Sequence, residues 1–273
     1  MRKYLLLGIG ILGFVFLLSC NNRSNTESVV NTEDTIIIYN RHLSMAVLYQ
    51  QKAAEAKALY YQAYNLAQMM LDKDLENKSF KGKRAVVVDI DETILDNSPF
   101  EAAMITRNAQ FPDDWSKWTE MAKADALPGA VDFLTYAANK GVDVYYVTNR
   151  SLNEREATIK NLIAEKFPMA DTNHVITKVD ESSKVNRRNK IMKTHRIVLL
   201  MGDNLTDFDG VFDKASIESR AKSVEDLKAE FGKKFILLPN PMYGDWENAL
   251  YDYSKTLNPI DKIKIRKSNL KDF

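Results

Sequence analysis

Hydrophobic and polar positions divide the chain into segments of two periods. From residue 85 onward, short apolar runs alternate with amphipathic stretches. Ala85-Val86-Val87-Val88 runs into Asp89-Ile90-Asp91, and β-branched runs of this kind suit a strand buried on both faces. Further strands are expected at 142–147, 174–177, 197–201 and 235–238. Helices are expected at 130–138, after Pro128-Gly129, and at 152–167, 183–194 and 224–231. Strands alternating with helices predict a parallel sheet with crossover helices, an α/β fold. Upstream, Met45, Leu48, Leu59, Ala63, Leu66 and Met70 recur at helical spacing with no Pro or Gly between them, predicting one long helix over 38–74. Tyr49, Tyr60, Tyr61 and Tyr64 lie on that helix and read as core or interface packing. His42 reads as a cap or a surface residue.

The N-terminus has another pattern. Met1-Arg2-Lys3 precedes an apolar run from Tyr4 to Leu18, short for a membrane span, which ends in Leu17-Leu18-Ser19-Cys20. A small residue before a cysteine at that point resembles a bacterial lipobox and implies cleavage before Cys20 and lipidation of it. A plain signal peptide or an anchor helix with an incidental cysteine is the alternative. The polar stretch that follows reads as a flexible tether. The expected organisation is a signal peptide over 1–19, a tether over 20–37, a helical extension over 38–78, a core over 79–242 with a cap insertion at 99–128, and a C-terminal helical segment and tail over 243–273.

Composition narrows the chemistry. Of 273 residues, 38 are basic and 37 acidic, so net charge gives no reason to expect a nucleic-acid polymer as partner. One Cys excludes an internal disulfide, and with three His it excludes a Cys/His zinc site. The candidate chemistry lies at the strand ends. The first strand presents Asp89 and Asp91, the second Thr148 and Asn149, and the fourth Asp203 with Asp207 beyond it. The helix near Ser183 brings Lys184. One carboxylate after a strand is commonly a helix cap. Several on one edge of one sheet, with a lysine, suit a hard cation such as Mg²⁺ and the oxygens of a phosphoryl group. An insertion at 99–128 would overhang that edge with Phe100, Trp115 and Trp118.

Asp89-Ile90-Asp91-Glu92-Thr93 resembles the DxDxT motif of the haloacid dehalogenase (HAD) superfamily, with Thr148, Lys184 and Gly202-Asp203 to Asp207 as its later motifs. Asp96-Asn97-Ser98-Pro99, Pro128-Gly129-Ala130, Thr148-Asn149-Arg150 and Leu238-Pro239-Asn240-Pro241 with Tyr243-Gly244 and Trp246-Glu247 are similar to one branch, the class C acid phosphatases. That family comprises bacterial outer-membrane lipoproteins also described as 5′-nucleotidases. Asp245 departs from the family pattern where a second Gly is expected.

The resemblance implies a Rossmann-like core with a helical cap, and a Mg²⁺-dependent phosphomonoesterase acting through an aspartyl-phosphate. Asp89 would be the nucleophile and Asp91 the acid and base. Asp89, the Asp91 carbonyl and Asp203 would hold Mg²⁺. Asp207 would orient a metal-bound water or bind Lys184, while Thr148, Asn149 and Lys184 would contact the phosphoryl group. Tyr243, Trp115, Trp118 and Phe100 are the candidates to stack a flat leaving group. Arg150 and Arg187 are either accessories or else surface charge or structural ion pairs. A nucleoside monophosphate-like ester is the expected substrate. A homodimer and an outer-membrane location anchored through Cys20 complete the expectation. The competing readings are a phosphotransferase, a phosphatase for another small metabolite, and a non-catalytic binding lipoprotein.

Overall fold

A five-stranded, all-parallel sheet in the order β3-β2-β1-β4-β5 forms the centre of the molecule. Its strands are β1 (Lys83–Val88), β2 (Asp143–Ser151), β3 (Val175–Lys178), β4 (His195–Gly202) and β5 (Phe235–Leu237). The computed structural model describes residues 41–273. The expected signal peptide, Cys20 and the tether lie outside them, as does the start of the 38–78 extension. Among the described residues, no helix is long and apolar enough to cross a membrane.

β1 is central, and its alternation explains its uninterrupted apolar run. Val86 and Val88 join a core cluster on one face with Val144, Tyr146, Leu199 and Met201. Ala85 and Val87 join a second cluster on the other face with Val147, Leu200, Phe208 and Phe235. The strand order changes direction at β1, and the C-terminal ends of β1, β2 and β4 therefore surround one crevice, the usual ligand position in such sheets.

The helix expected over 38–74 is two helices, α1 (Leu43–Lys52) and α2 (Ala54–Leu75). Ala53 between them is extended, at φ −76° and ψ 125°. The break lets the two helices serve different neighbours. α1 packs on α3 (Ser98–Arg107), and α2 packs on α5 (Ala130–Asn139), β4 and β5. The expected apolar face holds in part: Ala63 is buried, and Leu66 and Met70 pack against the core. Met45, Leu48 and Leu59 are exposed, whereas Ala56, Tyr60, Ala63, Tyr64, Ala67 and Leu71 are buried. Small alanines let α2 approach the sheet closely. The buried tyrosines find carbonyl partners: Tyr64 Oη donates to Thr93 O at 2.5 Å, and Tyr60 Oη to Pro239 O at 2.9 Å. α2 is thus a layer of the core itself.

The remaining helices are α4 (Trp115–Met121), α6 (Arg155–Ala164), α7 (Val185–Met192), α8 (Ile217–Asp226), α9 (Asp245–Asn248) and α10 (Pro259–Ser268). α8 replaces the helix expected at 224–231. Ser216 caps it, accepting from Ser219 N at 3.2 Å. Leu227 and Phe231, whose spacing suggested a helix, pack from turns against Phe208 and Phe235 instead. The 99–128 insertion contains most of α3 and all of α4.

Candidate active site

β1 ends at Val88, and Asp89 N still donates to Met201 O of β4 at 2.9 Å, so the sheet fixes the Asp89 backbone. The chain then turns sharply. Thr93, Ile94 and Leu95 all donate to Ile90 O. Glu92 lies in the left-handed region at φ 53° and is fully buried. Its carboxylate oxygen Oε1 accepts from Asn97 N at 2.8 Å. Burial, with Asp91 and Asp203 nearby, pushes the Glu92 carboxyl well above its ordinary range. A strained, buried residue held by its neighbours marks a loop whose shape matters.

The floor of the crevice is an ion cluster. Lys184, the residue before α7, is 4% exposed and its ammonium lies between two carboxylates. It contacts Asp89 Oδ1, and Asp207 Oδ1 at 2.5 Å. Burial opposes its charge, yet Asp207 and Asp89 outweigh burial and raise its pKa. Asp203 receives Asn240 Nδ2 at 2.7 Å. Asp89, Asp203 and Asp207 each offer an oxygen within 4.8 Å of the others. Burial pushes Asp89 up to about 7; Lys184 opposes the rise, and Asp207 and Asp91 add to it. Burial also raises Asp203 well above its ordinary range, with Asp207 and Asp89 adding their charge. Fully ionised, three carboxylates face one ammonium, an excess of two negative charges. An oxygen-only set with that excess fits a hard divalent cation.

Gly202 is required by this arrangement, because a Cβ there would collide with the Asp207 carboxylate. Asp207 is further fixed by Asn204 N, which donates to its Oδ2 at 3.1 Å.

Asp91 points to different partners. Arg150 Nη2 and Nε donate to its Oδ1 at 2.8 and 3.0 Å, and Asn97 Nδ2 donates to the same oxygen at 2.8 Å. Arg150 is 3% exposed, so it is neither surface charge nor a bystander. Burial works against its charge, but Asp91 holds its pKa up. Arg187 ties α7 to the end of β2, donating to Thr148 O and Asn149 Oδ1, each at 2.6 Å. Thr148 is buried, with Oγ1 accepting from Arg150 N at 3.0 Å, which leaves its own hydrogen to donate.

Above the cluster lies a cavity of about 470 Å³. Its walls include Asp89, Asp91, Asn149, Asp203 and Asp207 from the sheet edge, Trp115 from the insertion, and Tyr243 from the C-terminal segment. Lys184 and Thr148 are not wall residues; Lys184 lies behind Asp89 and Asp207. Two of the proposed stacking residues are elsewhere. Phe100 is 2% exposed and packs edge-on against Trp115 at 5.0 Å. Trp118 packs on the core and donates from Nε1 to Asn97 Oδ1 at 2.8 Å. Four contributors had no role assigned from the sequence: Asn97, Glu92, Asn240 and Glu101, which also lines the cavity. Asn97 and Asn240 stood inside recognised blocks, but their partners are set by tertiary contacts.

The family model for "HAD superfamily, subfamily IIIB (Acid phosphatase)" matches residues 18–246. Two solved structures of a class C acid phosphatase from Bacillus anthracis, one with tungstate bound, are each 48% identical to this chain. Their TM-scores are 0.84 and 0.83; they cover 86% and 87% of this chain and 99% of their own. "Acid phosphatase 1" of Solanum lycopersicum is 28% identical over 171 residues, 59% of this chain and 59% of that protein's length. With a family model spanning most of its length and the same parallel sheet behind the acidic crevice, the chain belongs to the HAD superfamily, subfamily IIIB acid phosphatases.

Proposed function

We propose that this chain is a Mg²⁺-dependent phosphomonoester hydrolase that works through an aspartyl-phosphate and accepts 5′-nucleotides and similar small esters. The observation that carries the reading is the Lys184 ammonium held between Asp89 and Asp207, with Asp203 completing the carboxylate set. An Asp89 oxygen attacks phosphorus and the bond to the leaving oxygen breaks. Asp91, oriented by Arg150 and Asn97 and partly open to the cavity, gives a proton to that oxygen. It then takes a proton from the water that cleaves the acyl phosphate. Lys184 favours the anionic form of Asp89 against burial and aims it. Asp89, Asp203 and the Asp91 carbonyl would hold Mg²⁺, which when bound offsets negative charge on the phosphoryl oxygens. The Bacillus anthracis relative, 48% identical, was solved with tungstate bound; tungstate is a tetrahedral oxyanion like phosphate, which supports the same ligand chemistry here.

The test is release of p-nitrophenol from p-nitrophenyl phosphate. Wild type turns over, EDTA stops it and Mg²⁺ restores it. Asp89→Asn lowers the rate by at least about 100-fold, roughly 2.7 kcal/mol of barrier. A variant keeping more than a tenth of the rate with metal bound refutes the nucleophile. We also propose that the chain is carried on a membrane of the cell envelope, the outer one, by lipid on Cys20. The support is the basic start, the apolar run and the position of the chain's single cysteine at its end. A fatty-acid analogue should label wild type and not Cys20→Ala; an unlabelled wild type refutes the anchor.

A further inference from the structure

Glu101 lies one turn along α3 from the catalytic loop, and the proposed hydrolysis gives it no work. It is 8% exposed, lines the cavity, and its carboxyl has no hydrogen-bond partner among the described residues. The neighbouring carboxylates from the C-terminal segment are satisfied: Glu247 accepts from Arg266 Nη2 at 2.9 Å and from Tyr251 Oη at 2.8 Å, and Asp245 accepts from Asn248 Nδ2 at 3.1 Å. A largely buried carboxyl that no protein donor satisfies and that opens onto a cavity is a place for a ligand to hydrogen-bond.

We propose that Glu101 determines specificity by hydrogen-bonding hydroxyl groups of the leaving group, favouring esters whose alcohol carries a vicinal diol, such as a ribose. This inference rests on the phosphatase reading and names the substrate feature read at the same cavity.

The placement suits that role. Asn97 binds Asp91, and Glu101 is four residues further along the helix, about 6 Å. The 2′ and 3′ hydroxyls of a nucleotide are separated from its 5′ phosphorus on that scale. A carboxyl serves hydroxyls in both protonation states. Ionised, it accepts from two neighbouring hydroxyls; protonated, it donates to one and accepts from another. Burial and Glu247 push the Glu101 carboxyl up to about 7, so at acid pH it is neutral and gains nothing from a cationic partner. A second anionic group meets the carboxylates of Glu101 and Glu247, while of the basic residues that line the same cavity Arg266 is engaged by Glu247 and neither Lys262 nor His42 lacks a partner. The aromatic walls, Trp115 and Tyr243, leave room for a flat ring beside the diol.

The experiment compares kcat/KM for adenosine 5′-monophosphate, its 2′,3′-dideoxy counterpart and p-nitrophenyl phosphate. Wild type should prefer the ribonucleotide over the dideoxy compound by at least about ten-fold. Glu101→Met, which keeps side-chain bulk, should bring that ratio close to one. Glu101→Gln, whose amide both donates and accepts, should keep most of it. A wild-type ratio close to one overturns the inference without reference to any variant. So does a ratio that survives Glu101→Met, even when all three rates fall together, since that is a structural effect. If wild type fails to turn over all three esters, the phosphatase reading fails and this inference with it.

Discussion

Asp91 and Asp89 are two residues apart, yet their surroundings differ. Asp89 is buried against Lys184, while Asp91 is clasped by Arg150 and Asn97 and keeps an edge on the cavity. Under the proposed hydrolysis, identical side chains thus take different tasks from their neighbours. Glu101 offers a test of the same physics through stability. Its carboxyl stands at about 7 when folded, against 4.5 for the free group, because burial and the nearby Glu247 disfavour its charge. The folded state therefore binds the proton more tightly than the unfolded chain. The stability this contributes is complete below pH 4.5 and is lost as pH rises to about 7. At about 1.4 kcal/mol per pH unit, the loss is on the order of 3 kcal/mol. Glu101→Gln has no charge to bury. Its Tm relative to wild type should therefore rise between pH 4.5 and pH 8, by about 5 °C. A difference in Tm that is flat with pH shows that the Glu101 carboxyl ionises as freely in the fold as outside it.

At the scale of elements, α2 holds the loop after β1 from behind. Tyr64 and Tyr60 cross the core to the carbonyls of Thr93 and Pro239, on the loops after β1 and β5. Tyr64→Phe keeps the ring and leaves the Thr93 carbonyl without that donor, so stability should fall by about 1–3 kcal/mol. Urea unfolding measures it; an unchanged midpoint and slope would mean that the carbonyl finds another donor. The sheet elements were legible because Val86–Val88, Val144–Val147 and Leu199–Met201 are apolar without interruption, and each leads into polar residues at one edge. α2 was harder to place. Its buried face consists of alanines and tyrosines, so the strongest apolar residues, such as Leu59, marked an exposed side. The break at Ala53 has no Pro or Gly to signal it. It follows from α1 reaching α3 while α2 follows the sheet, a tertiary demand that local propensity does not encode.

The cavity is a property of the whole molecule. Residues far apart in sequence meet there: His42 and Leu43, Glu101 to Trp115, the strand ends, and Tyr243 to Arg266. Its acidic floor was readable because strand ends announce themselves. Its upper walls were readable only in part, since Phe100 and Trp118 share the composition of Trp115 and differ from it only in where α3 and α4 turn them. Tyr243 follows a turn in which Asn240 Oδ1 accepts from Met242 N at 2.9 Å, and Asn240 also binds Asp203. The backbone that carries the ring is thereby fixed relative to the acidic cluster. A base stacked on the ring would gain about 1–3 kcal/mol. The ring does not touch the reacting atoms, so this energy is equal in ground and transition states. Its loss then raises KM and spares kcat. Tyr243→Ala should raise KM for a nucleoside monophosphate by roughly ten-fold, at 1.4 kcal/mol per decade. KM for a small aliphatic phosphate, which has no ring to stack, should stay within about two-fold. The two esters control for each other, because a defect of folding or metal binding harms both. An equal rise for both would make Tyr243 a structural residue of the Asn240 turn and leave the flat leaving group to Trp115.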